Sequence, residues 1–170
     1  QRKLGGIFEV KLLIEWSLMT FKTNTIEEKI AKAKILVLYS EVLLELELND
    51  AVYEIIQEAL KIVKKYSIKN SDSADILHAS ADHLLQLNRN QEALSNFIQA
   101  SEDFSGIDAK LDKKADCLFN LATVYARLGQ HLAAKQKFIE AKAIYVDILS
   151  IKGIANCLYG IAKTSKDLGQ

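Results

Sequence analysis

Asp75, His78, Asp82 and the adjacent His83 are the side chains whose types and spacing come closest to a chemical site. On a helix, steps of three and four residues put Asp75, His78 and Asp82 on one face, a spacing that suits metal ligation or a general base. A metal centre needs at least three convergent ligands from more than one element, and no second His or Cys pair is available to supply them. The expectation is a solvated or groove-lining face, with no metal ligand and no catalytic residue. Cys117 and Cys157 are too few for a disulfide framework and too far apart for a zinc site. Their places in the repeat described below are equivalent, so they read as buried structural thiols in a reducing, cytoplasmic setting. Gly5-Gly6 precedes the first expected helix and follows no strand, so it reads as a turn or linker and not as a phosphate loop. No nucleophile-elbow pattern occurs. These residues predict neither an enzyme nor a cofactor.

Composition narrows the field further. In 170 residues, 49% are apolar, 26% are charged and Pro is absent, which suits one folded domain able to bury a core without disulfides or metals. Twenty-two basic residues balance 22 acidic ones, so the basic excess of a nucleic-acid binder is missing. The apolar stretch from Ile7 to Phe21 is broken by Glu9, Lys11 and Glu15 and is shorter than the ~20 residues of a membrane span. It reads as a buried amphipathic helix, with no membrane partner.

The elements that must position these residues show themselves as a repeat. Leu118, Leu121, Ala122, Tyr125, Leu128 and Gly129 follow Leu77, Ser80, Ala81, Leu84, Leu87 and Asn88 at an offset of 41 residues. Leu158, Ile161, Ala162, Ser165, Leu168 and Gly169 follow again at 40, and a weaker copy holds Leu36, Tyr39, Ser40, Leu43 and Leu46. Between these copies, Ala93, Phe97, Ala100, Phe104 and Ile107 match Ala134, Phe138, Ala141, Tyr145 and Ile148, and Val52, Ile56, Ala59 and Val63 extend the series. Steps of three and four define one face of a helix, so each unit is a helix, a tight turn and a second helix. Gly129, Asn88 and Asn49 mark the reversals. Thr25 with Glu28 has capping-box spacing, while Ser71, Asp72 and Ser150 are candidate N-caps. Eight helices are expected, near 6–22, 26–47, 50–66, 72–88, 90–105, 112–128, 131–147 and 151–168.

The run Leu118-x2-Leu121-Ala122-x2-Tyr125, then Ala134-x3-Phe138, then Ala141, resembles the tetratricopeptide repeat. Leu77, Ala81, Leu84, Ala93, Phe97 and Ala100 carry the pattern one unit earlier. The period of 40 to 41 exceeds the family's usual 34, and its terminal proline is replaced by Ser105 and Val146, so the second helices are expected to run on by more than a turn. The resemblance implies an all-α, right-handed solenoid of stacked antiparallel helix pairs, with Ala81, Ala122 and Ala162 where the helices of a pair approach most closely. Residues 1–25 then form the trailing helix of a preceding repeat. Residues 33–73, 74–114 and 115–154 form three repeats, and 155–170 the first helix of another, as in a piece of a longer array.

The resemblance also implies a partner-binding groove on the inner faces of the first helices. Carried across, the groove is offered by Lys34, Val37, Glu41 and Glu45, then by Asp75, His78, Asp82 and Leu85. Asp116, Phe119, Asn120, Thr123 and Arg127 follow, then Asn156, Tyr159, Gly160, Lys163 and Lys166. The family's carboxylate clamp needs cations where this chain has Asn156 and Gly160, so that use is rejected although Asn120 matches. An acidic early groove and a basic late one suit a polarised peptide with aromatic or aliphatic anchors for Phe119 and Tyr159. The leading expectation is a protein-interaction scaffold that binds a peptide or partner helix. The alternative is a regulatory, ligand-sensing module of a multidomain signalling or transcription-control protein. Self-association through apolar solenoid ends is a third reading.

Overall fold

The computed structural model describes residues 2–20, 25–66, 70–105 and 110–169 and contains no strand among them. Its helices are α1 (Arg2–Thr20), α2 (Ile26–Glu45), α3 (Asn49–Lys65), α4 (Ser71–Gln86), α5 (Asn90–Ser105), α6 (Leu111–Arg127), α7 (His131–Asp147) and α8 (Ile151–Asp167). They form two compact units, residues 1–87 with α1 to α4 and residues 88–170 with α5 to α8. The expected all-α class, the number of helices and most of their bounds hold. No helix among the described residues is long and apolar enough to cross a membrane.

Local chemistry sets the helix ends. Thr25 caps α2 in a complete capping box: its hydroxyl accepts from the Glu28 N–H at 3.2 Å, and Glu28 accepts from the Thr25 N–H at 2.9 Å. The cap of α4 is Asn70, not Ser71 or Asp72. Asn70 and Ser73 close a second box, leaving Ser71 and Asp72 inside the first turn, where an acid meets the positive end of the helix. Ser150 caps α8 by accepting from the Gly153 N–H.

Among the described residues α2, α4, α6, α7 and α8 are each followed by a left-handed residue, and side-chain type does not settle which one. Asn88 and Gly129 take that place as expected, but before α3 it falls to Glu47 and not to Asn49, and before α8 to Leu149. The reversal is held by paired backbone bonds. Gln130 N–H donates to Tyr125 at 2.9 Å and Gly129 N–H to Ala126 at 3.1 Å; Ser150 and Leu149 repeat this at 2.8 and 3.1 Å. That closure stops α7 at Asp147, one residue past Val146, so the expected long run-on does not occur there.

The two interleaved patterns build the cores. Val52, Ile56, Ala59 and Val63 of α3, Ala93, Phe97, Ala100 and Phe104 of α5, and Ala134, Phe138, Ala141 and Tyr145 of α7 are all buried. Ile107 lies outside the described residues. In the first unit α2 packs against α1, α3 and α4, and buries Leu36, Tyr39, Ser40 and Leu43. In the second, α6 packs between α5 and α7, buries Leu118 and Ala122 against Ala134, Phe138, Ala141 and Tyr145, and buries Leu121 as well. Burying a side chain of the larger size contributes about 1.5–3 kcal/mol.

Three expectations fail for lack of a neighbour or for lack of room. Among the described residues α1 packs only against α2, so it is not a buried helix: Leu12, Leu13, Trp16 and Met19 are each more than 60% exposed. Gly5 and Gly6 lie inside α1 and mark no linker; glycine costs a helix interior ~1 kcal/mol relative to alanine without forbidding it. Ala162 is exposed and forms no close helix approach. That approach is made on the opposite face of α8, where Gly153 meets the ring of Tyr145 and Gly160 the ring of Phe138.

Candidate functional site

The sequence-derived groove residues divide between the units: Glu41, Asp75, His78 and Asp82 in the first, Phe119, Asn120, Thr123, Arg127, Tyr159 and Lys163 in the second. In the second unit, α6 and α8 lie on either side of a cleft of about 350 Å³. Of the expected groove residues, Phe119, Thr123, Arg127, Asn156, Tyr159, Gly160 and Lys163 line it. Asn120 is half-buried and stands outside the lining.

The cleft is built from an aromatic floor upward. Phe138 of α7 lies beneath it and meets Phe119 edge-to-face, with ring centroids 5.4 Å apart. Gly160 lets that ring lie flush against α8: a Cβ there would stand 2.7 Å from the Phe138 ring. Gly160 is thus a packing residue as much as a groove residue, a role the sequence reading missed. The signal was present, since glycine inside a strongly periodic helix asks for a close approach. Thr123 donates its hydroxyl to the Phe119 carbonyl at 3.1 Å, and buried Thr164 donates to the Gly160 carbonyl at 2.8 Å. Both hydroxyls are thereby spent on their own helices.

The rim is polar and asymmetric. Arg127 and Lys163 bring cations to the cleft, while Asp167 lies 3.6 Å from His131 Nδ1. Tyr159 is 72% exposed and presents its ring to solvent. The arrangement offers an apolar seat, two cations and one acid, the elements of side-chain recognition.

In the first unit one early acid and the early cation are engaged locally. Asp82 accepts from Gln86 at 3.2 Å, and Lys34 is paired with Asp72 at 2.6 Å. Val37 and Leu85, expected in the groove, are core residues. Glu41 is exposed, and Asp75, His78 and Asp82 are half-buried. His83 is buried, with Nδ1 2.7 Å from Ser40 Oγ. The Ser40 hydroxyl has one proton and gives it to the Val37 carbonyl at 2.6 Å, so His83 Nδ1–H is the donor. Burial lowers the His83 pKa, and the nearby charges of Asp82 and Glu41 oppose that shift. His83 is thus a hydrogen-bonded core residue. No group of three His, Cys, Asp or Glu among the described residues could hold a metal ion.

The two thiols are buried and unpaired with each other. Cys117 donates to the Phe97 carbonyl, and burial pushes its pKa up to about 12 and that of Cys157 to about 11. Neither is poised as a nucleophile at neutral pH. Elsewhere in this unit Tyr145 donates to Asp116 at 2.6 Å, which ties down another of the expected groove acids.

Comparison with known proteins agrees with the fold. A tetratricopeptide repeat family model matches residues 72–146. No curated protein sequence matches the chain. Among solved structures, TPR-like repeats of a putative kinesin light chain from Podosopora anserina superpose with a TM-score of 0.78 at 15% identity, covering 99% of this chain and 82% of that one. A signal-transduction ATPase with numerous domains and a tetratricopeptide repeat sensor, from Pyrococcus horikoshii, gives a TM-score of 0.79 at 14% identity, covering 98% of this chain and 25% of the other. A Rap protein in complex with competence and sporulation factor gives 0.64 at 19% identity, covering 82% and 38%. The chain therefore spans well under half the length of two of these three proteins, and at such identities the likeness shows the fold alone.

Proposed function

We propose that the chain, whose residues 72–146 match a tetratricopeptide repeat family model, is a protein-interaction module and that the cleft between α6 and α8 seats an anchor side chain of a partner peptide. The observation that carries this reading is the convergence of Phe119, Thr123, Arg127, Tyr159 and Lys163 on one apolar-floored cleft. Phe138 supplies a flat floor and Tyr159 an exposed ring, so an aromatic or branched aliphatic anchor fits between them. Arg127 and Lys163 favour an acidic residue beside that anchor. The role is binding, without catalysis. The buried thiols suit a reducing compartment, and we place the protein in the cytoplasm.

Panning a random peptide library on the full chain tests this. Selected peptides are expected to share an aromatic or aliphatic anchor next to an acid. Phe119→Ala combined with Tyr159→Ala should weaken them by about ten- to a hundredfold, as for a two-residue hot spot. Undiminished binding by that folded double variant would sink the reading.

A second reading is a sensing module, favoured by the superposition of 98% of this chain on an ATPase that carries a tetratricopeptide repeat sensor. A sensor must differ between its free and bound states, because a ligand shifts only an equilibrium whose two states it binds unequally. Fluorescent labels on the two units would report a distance change when the selected peptide binds a sensor. A scaffold would show none.

A further inference from the structure

The chain carries no net charge, yet its lysines are not evenly spread. In the first unit, Lys29 and Lys32 of α2 face Lys61 and Lys65 of α3 across a cleft of about 350 Å³, floored by Ile62 and closed by Tyr66. A second cleft, of about 620 Å³, adjoins it through Lys61 and Lys65 and adds Lys64 and Leu60. Among the described residues Glu58 is the only acid lining either cleft, and it is already paired with Lys32 at 2.6 Å. Lys61 and Lys64 have no ion-pair partner among the described residues. Lys29 and Lys65 lie 4.7 and 5.6 Å from the centre of the Tyr66 ring. The same cations lower the pKa of the Tyr66 phenol, first through the Lys29 hydrogen bond, which marks the local field as positive.

Part of this charge has a local use. Lys64 and Lys65 stand in the last turn of α3, where cations complement the free carbonyls. Lys29, Lys32 and Lys61 exceed that need. The surface is also not the greasy seat of the α6–α8 cleft: its cations are separate, held on long stems over Ile62, Leu60 and Tyr66.

We propose that this face of the first unit binds an acidic segment of a partner protein, an extended run in which carboxylates alternate with apolar side chains. Glu58 shows the recognition in miniature, since the chain's own carboxylate already occupies Lys32. A compact phosphate fits less well. It would need donors converging on one point, whereas these ammonium groups are dispersed, and the carbonyl end of α3 opposes a concentrated double charge. Alternating acids meet the lysines one at a time while the apolar residues cover the stems and Tyr66.

Fluorescence anisotropy of the full chain with a labelled peptide of alternating Glu and Leu tests the proposal. Binding is expected, weakening as salt rises. Lys61→Glu with Lys64→Glu should weaken it by about tenfold or more, and Lys61→Gln with Lys64→Gln by less. Lys152→Glu, an exposed change on α8, should leave it unchanged. Circular dichroism establishes that each variant is folded. The proposal is overturned if the peptide does not bind, if the reversal leaves binding intact, or if Lys152→Glu weakens it equally. Tighter binding of phosphatidylserine vesicles or of single-stranded RNA at the same salt would overturn it too.

Discussion

Helices α6 and α8 carry the same side-chain pattern 40 residues apart, and among the described residues only α6 is covered on both sides. In α6, Leu118 and Ala122 are buried beneath α7, while Cys117 packs toward α5. In α8, Cys157 is equally buried, against α7, but Leu158 is 50% exposed and Ala162 lies open. The pattern names the face that can be buried; the neighbouring helix decides whether it is. The contrast extends to the cleft, where Phe119 is held edge-on by Phe138 and its counterpart Tyr159 stands largely in solvent.

Large-to-small substitution breaks this comparison most sharply. Leu118→Ala should cost about 2–5 kcal/mol in urea unfolding, as for a buried leucine that leaves a cavity. Leu158→Ala should cost under about 1 kcal/mol, because half of that side chain is already in water. Equal costs would mean that α8 is covered after all.

Overpacking sharpens the other side of α8. A Cβ on Gly153 would stand 2.3 Å from the Tyr145 ring, so Gly153→Ala should cost about 1–3 kcal/mol in the same assay. Gly160→Ala should cost a similar amount and also tilt Phe138, disturbing the floor of the cleft.

A smaller effect separates the turns. Leu149 holds φ 57° with its side chain 83% exposed, so the position has backbone cost and little packing to lose. Leu149→Gly should stabilise the chain by about 1 kcal/mol, and Gly129→Ala should destabilise it by a similar amount. A differential thermal melt would reveal both shifts.

A buried histidine links the stability of the first unit to pH. The folded-state pKa of His83 lies below its ordinary value of 6.5, so His83 binds its proton less readily when folded. Its contribution to stability is complete above that value and is lost as pH falls from about 6.5 through the depressed folded pKa. Urea midpoints across that range should therefore fall for the wild type. They should fall less for His83→Leu, which removes the titrating group.

Much of this was legible in the sequence because periodicity and caps are local. The three-and-four spacing located the helices, and Thr25 with Glu28 fixed the start of α2. Phe119, Thr123, Arg127, Tyr159 and Lys163 line one cleft because α6 and α8 are two copies of one pattern. What escaped depended on neighbours or on backbone closure. Leu149 takes a left-handed conformation because two backbone hydrogen bonds close the turn, not because leucine prefers it. Gly153 and Gly160 act through the rings they admit, and those rings lie on another helix. The exposure of Trp16 and Met19 follows from what packs on α1, which residue type does not encode.

Mapping amide chemical shifts while a selected peptide is titrated into the full chain asks where the peptide sits. The largest changes should fall on Phe119, Thr123, Arg127, Tyr159 and Lys163, with Phe138 beneath them. Changes confined to the outer positions of α5 and α7, such as Ser95, Gln136 and Ile139, with the cleft amides unmoved, would contradict the account.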